Sequence, residues 1–459
     1  MILLEDILKI KNIETDFNCK NYRSLKFSGV SIDSRTTGKD DLFIAIKGER
    51  FDGHNFLDDV VKKGIKASIV TTERYTDISF LRNKILFFKV KDTLKALQEL
   101  GKIQRRKFAR KVFAITGTNG KTTTKEMLYS ILNRCKKVLK SPGNYNNQYG
   151  VPLTLLKLND KCDAVIVEMG ASRKGEIEEL CKIAEPDIGI ITCIGRGHLE
   201  FFKSVENVAE TKAEMLEYLG ETGTAIVNID DKYLKPHLSK AKNIITFGLN
   251  KNADVKGKII SEYNNFTSLF KINDVIEVKL QAAGEKNILN ALAAAAAGFK
   301  MGISYNDIKE GLESYQPFSG RLQIKKFNGY TLIDDTYNSN PESLSEAISI
   351  MSNKRISGRK FAVLGDMLEL GKYSEQEHKK IGKLICEKGI DYVFTYGNFA
   401  ELITEECKKC GITNSQHFTD KFEIINSLKK LLKEGDLILV KGSRGMKMED
   451  IVNGLKKLI

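Results

Sequence analysis

The chain has 459 residues, 42% hydrophobic and 29% charged, with a net charge of +14. That length suggests about three domains, and the balance is that of a globular protein able to bury sizeable cores. No apolar run approaches the ~18 residues of a membrane helix, and the N-terminus lacks the basic-then-apolar layout of a signal peptide, so a cytoplasmic protein is expected. The basic surplus admits nucleic acid, but its densest run, Lys102-Ile-Gln-Arg-Arg-Lys-Phe-Ala-Arg-Lys111, has one aromatic and fits a solvated helix face. The surplus suits anionic small substrates instead. Cys407-Lys-Lys-Cys410 stands without a second pair, so it reads as two partly exposed thiols in a reducing compartment.

Residues 1–90 form the first predicted unit. A helix is expected over Glu5–Ile10 and strands over Asp41–Ile46 and Ala67–Val70. Ser31-Ile-Asp-Ser-Arg-Thr-Thr37 and Phe51-Asp-Gly-His54 are polar turns with no catalytic layout of their own.

Residues 91–316 read as a doubly wound unit. Strands are expected at Val112–Thr116, Ala164–Val167, Ile188–Ile194 and Ala225–Asn228. The first runs into Thr116-Gly-Thr-Asn-Gly-Lys-Thr-Thr123, and Met127, Leu128, Ile131 and Leu132 follow at helical spacing. Strand, glycine loop and helix start bring backbone N–H groups onto an anion, with Lys121 as added charge. Thr122 has the hydroxyl that such loops offer to magnesium. The full pattern wants glycine where this chain has Ile115, so the loop is a variant built on Gly117 and Gly120.

In doubly wound sheets, ligands sit beyond the carboxyl ends of strands. Glu168 closes one strand there and either holds magnesium or caps the next helix. His198 follows another strand, as a metal ligand or phosphate contact. Lys212 falls on the apolar stripe Val205, Val208, Met215, Leu216, Leu219. A buried ammonium is costly, so such a lysine snorkels, pairs, shifts its pKa or is modified, and the spacing alone favours snorkelling. Asn144-Tyr-Asn-Asn-Gln-Tyr-Gly150 is a polar loop after a strand at Lys137–Leu139. Asn287 and Asn290 share a helix face, which hints at a purine edge, although helix capping explains at least one.

Residues 317–459 read as a third α/β unit, with strands at Thr331–Ile333, Phe361–Leu364, Tyr392–Phe394 and Asp436–Val440. Three end in polar clusters, and Asn340-Pro341 is a sound helix start.

The combination resembles the Mur ligases, ATP-dependent amide ligases of peptidoglycan precursor synthesis, over all three units. The resemblance rests on Thr116-Gly-Thr-Asn-Gly-Lys-Thr122, Asn146-Asn-Gln-Tyr-Gly-Val-Pro-Leu-Thr154, Gly365-Asp-Met-Leu-Glu-Leu-Gly371 and Lys441-Gly-Ser-Arg444. The second and third are similar to the member that adds D-alanyl-D-alanine to UDP-N-acetylmuramoyl-tripeptide, and the Asp-Asn-Pro-Arg motif of the diaminopimelate-adding sibling is absent. The resemblance implies an α/β fold of three domains: an N-terminal UDP-substrate domain, a central P-loop ATPase domain and a C-terminal Rossmann-like domain.

It also implies roles. Ser34 and Arg35, near Asp52 and His54, would hold the UDP portion. Gly117, Thr118, Asn119, Gly120, Lys121, Thr122 and Thr123 would hold the ATP phosphates, with Asn287, Asn290, Arg321 and Asp335 on the rest of the nucleotide. Asn146, Asn147, Lys441, Ser443 and Arg444 would meet substrate. Thr122 and Glu168 would share one magnesium ion, His198 a second, and Lys212 would carry a CO2-derived carbamate. Lys121, His198 and Lys212 are the implied catalytic residues. Lys286 stands where relatives often have histidine, which leaves its role open. A monomer is expected. The alternatives are a sibling ligase that adds the third amino acid, a folylpolyglutamate synthase-like ligase without the UDP domain, and a P-loop NTPase stimulated by nucleic acid. A non-enzymatic scaffold would leave Lys121, Thr122, Glu168 and the paired asparagines idle.

Overall fold

The computed structural model describes residues 1–262 and 266–456. Three large sheets follow one another along the chain, beside a two-stranded pair of Ile2–Leu3 with Lys26–Phe27. The first has five strands in the order Glu14–Thr15, Leu86–Val90, Ala67–Thr71, Asp41–Ile44, Gly29–Ser31, all parallel except the first. Helix Thr93–Phe108, capped by the Asp92 carboxylate, leaves this sheet and packs along the second unit. The run Lys102–Lys111 is only in part the solvated face expected of it, through Arg106, Lys107 and Lys111. Arg105 is buried and donates to Ala184 O, Glu185 O and Asp187, Arg106 pairs with Glu185, and Lys107 with Asp6. The basic run therefore ties the first two units together and offers little to a polyanion.

The second sheet has nine strands. Its parallel part runs Val255–Glu262, Asn243–Gly248, Thr224–Asn228, Ile188–Ile191, Lys111–Thr116, Ala164–Glu168, Val138–Lys140. Strands covered on both faces read as continuous apolar runs. Phe113, Ile115, Ile166 and Ile190 face helices Lys121–Leu132 and Glu285–Lys300, whose alanines 293–297 have no side chain long enough to hold the helix off the sheet. Val112, Ala114, Val165 and Val167 face helices Glu176–Ala184 and Val205–Leu219. Ser268–Ile272 and Ile276–Leu280 extend the sheet antiparallel, an addition that the apolar runs did not announce because Ser268–Ile272 alternates buried and half-buried residues. Lys111–Thr116 lies between Ile188–Ile191 and Ala164–Glu168, where the strand order reverses and a crevice must open.

The third sheet runs Gln323–Phe327, Tyr330–Asp335, Leu437–Lys441, Lys360–Gly365, Tyr392–Tyr396, Ser415–Phe418, parallel after its opening hairpin. Cys407 is buried, and Cys410 forms a disulfide with Cys386 between helices Ser374–Glu387 and Glu401–Lys409. The reading of 407 and 410 as two partly exposed thiols is thereby corrected. No helix among the described residues is long and apolar enough to cross a membrane.

Helix Tyr305–Glu313 crosses the P-loop helix at Gly311, where an added Cβ would meet Ile131 Cα at 2.6 Å and Ile131 N at 2.9 Å. Backbone cannot give way as a side-chain tip can. Gly311→Ala should lower stability by about 1–3 kcal/mol, read as a lower urea midpoint with unchanged slope.

Candidate active site

The glycine loop follows directly from strand Lys111–Thr116. Gly117 has φ 139° and Gly120 φ 83°, values that favour glycine. A Cβ at Gly117 would meet Thr192 Oγ1 and Cys193 O, and one at Gly120 would meet Asn290 Oδ1. Ile115 is a fully buried strand residue, so the position that other P-loops give to glycine belongs here to the core. Lys121 starts the helix and curls back, its Nζ donating to Gly117 O at 2.9 Å and Thr118 O at 3.1 Å. Burial lowers its pKa, and the Glu168 carboxylate opposes that shift.

Glu168 ends the neighbouring strand and is 1% exposed. Its Oε2 accepts from Thr122 Oγ1 at 2.9 Å and its Oε1 from Asn146 Nδ2 at 2.9 Å, while Ser141 Oγ accepts from its backbone N–H. Lys125 Nζ lies 3.6 Å from Oε2 and donates to Ser141 O and Gly143 O. Of the two readings of Glu168, the capping one fails: its carboxylate turns to the P-loop, and helix Glu176–Ala184 begins eight residues later. Lys125 was missed in sequence. Its signal was present, since it falls three before Leu128 and seven before Leu132 on the buried stripe.

Lys212 does not snorkel. It is 3% exposed, its Nζ lies 3.4 Å from Ala171 O and 5.6 Å from the centre of the Phe202 ring. Burial, helped by the charge of Lys121, lowers its pKa to about 7. A large share of it is therefore the free amine at neutral pH.

The third unit closes the site. Arg321 donates to Thr122 Oγ1 at 3.0 Å and lies over the Tyr337 ring. Lys441 is buried against Asp335 Oδ2 at 2.5 Å and donates to Asn338 O. Ser443 donates to Ser339 O and accepts from Leu368 N, so it holds loops together. Arg444 is exposed and pairs with Glu449. His198, in the left-handed region at φ 55°, lies with Nδ1 2.6 Å from Glu369 Oε2 on the loop after strand Lys360–Gly365. The His198 contact lowers the pKa of Glu369.

One cavity of about 500 Å³ is lined by the P-loop, Asn146, Asn147, Glu168, His198, Lys212, Lys286, Asn287, Asn290, Arg321, Asp335 and Lys441. The two asparagines of the helix face differ. Asn287 donates to Ala283 O just before its own helix and caps nothing, while Asn290 is buried and accepts from Thr124 Oγ1 against the P-loop. Beside Lys286, Glu346 was missed in sequence: its Oε1 accepts from Lys286 N at 3.2 Å. Burial among protein atoms raises its pKa to about 7, against the pull of the Lys286 charge.

Ser34, Arg35, Asp52 and His54 do not line this cavity. Arg35 is exposed and pairs with Asp33, whose pKa falls to about 2 through hydrogen bonds from Arg35. Lys63 Nζ donates to Ser34 O and Arg35 O. His54 is buried with both ring nitrogens engaged, Nδ1 with Asp52 at 2.6 Å and Nε2 with Thr71 N at 3.0 Å. It fixes its loop rather than facing solvent.

Three family models match successive parts of the chain: "Mur ligase family, catalytic domain" over 26–105, "Mur ligase middle domain" over 115–298 and "Mur ligase, glutamate ligase domain" over 320–444. The UDP-N-acetylmuramoyl-tripeptide–D-alanyl-D-alanine ligase of Bacillus subtilis is 36% identical over 436 residues, covering 95% of this chain and 94% of its own length. A crystal structure of MurF from Acinetobacter baumannii superposes with a TM-score of 0.89 at 33% identity, with 99% of each chain covered. MurF from Thermotoga maritima in complex with ADP gives a TM-score of 0.80 at 31% identity, covering 94% of this chain and 97% of its own.

Glu346 supplies a pH signature. Its folded pKa of about 7 exceeds the ordinary 4.5, so the folded state binds a proton that the unfolded state has lost between those values, and stability falls as pH rises through that window. Relative to wild type, Glu346→Gln should gain stability from pH 4.5 to about 7 and then hold a constant advantage, measured by urea unfolding across pH. A difference independent of pH would refute this.

Proposed function

The chain belongs to the Mur ligase family, and on that premise we propose how its site performs the reaction it shares with its relatives, the ATP-dependent joining of D-alanyl-D-alanine to UDP-N-acetylmuramoyl-tripeptide. One observation carries the reading: the P-loop, the buried Glu168 carboxylate and Arg321 of the third unit meet at a single hydroxyl, Thr122 Oγ1. That arrangement suits a nucleotide triphosphate handled between two domains.

A free carboxylate is a poor acyl donor. The terminal carboxylate oxygen of the tripeptide attacks the γ-phosphorus, the bond to the β,γ-bridging oxygen breaks, and ADP leaves. The amine of D-alanyl-D-alanine then attacks the acyl carbon, loses a proton, and phosphate departs through a tetrahedral intermediate. In this account Lys121 turns from the carbonyls of its own loop to the β/γ-phosphates, and Arg321 adds charge from the third unit. Docking of that unit keeps water from the acyl phosphate. No side-chain nucleophile is required.

Magnesium fits the residues present. Glu168 and the Thr122 hydroxyl are hard oxygen donors, and magnesium is commonly held by one or two carboxylates plus substrate phosphates. Among the described residues no three His, Cys, Asp or Glu side chains form a ready-made metal cage, a set that the phosphates themselves would complete. Bound there, with His198 near a second ion, magnesium would offset charge on the transferring phosphoryl group. Lys212 fits carbamylation: its free amine attacks CO2, an N–C bond forms and one proton leaves, which turns a costly buried cation into an anion facing the cations of the site. Ser34 and Arg35 remain our candidates for the UDP portion, with His54 and Asp52 shaping the adjoining loop, and Asn147 and Arg444 for peptide contacts. On the family resemblance we assign a monomer, working in the cytoplasm where ATP is made available.

The deciding measurement is phosphate release from ATP. It should require the UDP-muramoyl-tripeptide and D-alanyl-D-alanine together. Release driven by D-glutamate or free diaminopimelate with a shorter precursor would move the chain to a sibling step, and stimulation by DNA or RNA would replace the ligase reading altogether. For the carbamate, Lys212→Ala should lose activity by about 10- to 100-fold and regain part of it with bicarbonate or short carboxylates. A fully active variant removes Lys212 from the mechanism.

A further inference from the structure

Asn119 sits at the apex of the P-loop, and its backbone is firmly held, with the Thr192 hydroxyl donating to its carbonyl at 2.5 Å. Its side-chain amide, however, reaches out of the central unit. Asn119 Nδ2 donates to Asn340 Oδ1 at 3.2 Å, and Asn340 Nδ2 donates back to Asn119 Oδ1 at 2.9 Å. Two parallel hydrogen bonds between two amides fix both distance and orientation, as a single bond does not.

The orientation of this pair is determined independently. Asn340 caps helix Pro341–Ser352, its Oδ1 accepting from Ser343 N at 2.9 Å. With Oδ1 committed to the cap, Nδ2 must point at Asn119, and only the oxygen of Asn119 can meet it. The next turn repeats the contact, since Glu342 accepts from Arg196 N at 3.1 Å and pairs with its guanidinium. Arg196 also reaches Glu377. Thr118 completes the junction, its hydroxyl accepting from Gly195 N at 2.9 Å. Thus the capped N-terminus of a third-unit helix rests on the rim of the phosphate loop and on the loop beside it.

We propose that Asn340 is a positioning residue of the phosphoryl-transfer step: through its amide pair with Asn119 it sets the apex of the P-loop only when the third unit is docked. This rests on the ligase reading given above. Docking is then sensed at the phosphates directly, by a side chain that cannot be satisfied in the same way while the units are apart. Both amides are half-buried, so water meets each while the units are apart, and docking replaces those mobile partners with one fixed two-bond geometry.

Asn340→Asp separates this role from the helix cap. Aspartate still accepts from Ser343 N, and caps as well as asparagine, but its second oxygen faces Asn119 Oδ1, acceptor against acceptor. The expected result is a fall in kcat of about 10-fold or more, with the melting temperature and ADP affinity by calorimetry close to wild type. In the cycle of Asn119→Ala, Asn340→Ala and the double variant, the double should lose no more kcat than the worse single. The idea is overturned by an Asn340→Asp enzyme with kcat within about two-fold of wild type, by a kcat loss that tracks a lowered melting temperature, or by additive losses in the cycle. Wild-type phosphate release with both substrates is measured first. Its failure sinks the ligase reading, whereas its success with an unaffected Asn340→Asp sinks only this inference.

Discussion

A carboxylate taken fully out of water must be met by donors on every side, and Glu168 is the group around which this molecule settles that demand. Thr122 comes from the phosphate loop, Asn146 from the polar loop after Val138–Lys140, and Lys125 from the next turn of the P-loop helix. Lys125 does double service, because its ammonium also binds Ser141 O and Gly143 O and so fixes the base of the loop that presents Asn146. Three segments far apart in sequence are thereby locked around one charge. An arriving cation would find the Glu168 carboxylate already oriented by these donors, which is the condition for electrostatic stabilisation without reorganisation.

The sheets decide where that charge sits. Strand Lys111–Thr116 lies between Ile188–Ile191 and Ala164–Glu168, so the carboxyl ends of all three open on the same crevice. The third sheet makes a similar point, since Asp335 and Lys441 end adjacent strands and pair across them. The two crevices face one another, and the contacts between them are polar: Arg321 to Thr122, Asn340 to Asn119, His198 to Glu369, Lys286 to Glu346. Apolar contact joins the units as well, since Phe266 and Ala283 of the second belong to the core of the third and Tyr373 of the third packs on the core of the second.

Four lysines, Lys121 half-buried and Lys125, Lys212 and Lys441 buried, surround one cavity or its wall, and each has a different answer to desolvation. Lys121 borrows carbonyls from its own loop, Lys125 and Lys441 lie against carboxylates, and Lys212 has a carbonyl and an aromatic face, with the charges of Glu176 and Glu214 offsetting part of the burial that lowers its pKa.

Much of this was legible in the chain. Continuous apolar runs located the central strands to within a few residues, Gly117 and Gly120 announced the loop, and the stripe through Val208 and Met215 exposed Lys212 as a misplaced charge. Those signals are local, and local sequence determines them through periodicity and backbone freedom. What the chain alone left open depends on contacts distant in sequence. It gave Asn287 and Asn290 one helix face, yet only tertiary packing turned the second to the P-loop and left the first to Ala283 O just before its helix. It presented His54 as a polar turn residue, while the folded sheet buried it between Asp52 and Thr71. It left Lys102–Lys111 as a solvated face until Glu185 and Asp187 arrived from another element. Above all, nothing in the sequence links Asn119 to Asn340, 221 positions further on. Spacing along one element can be read from the chain, but a pairing across domains exists only when the whole molecule has folded, because its geometry is set by how three sheets sit against each other.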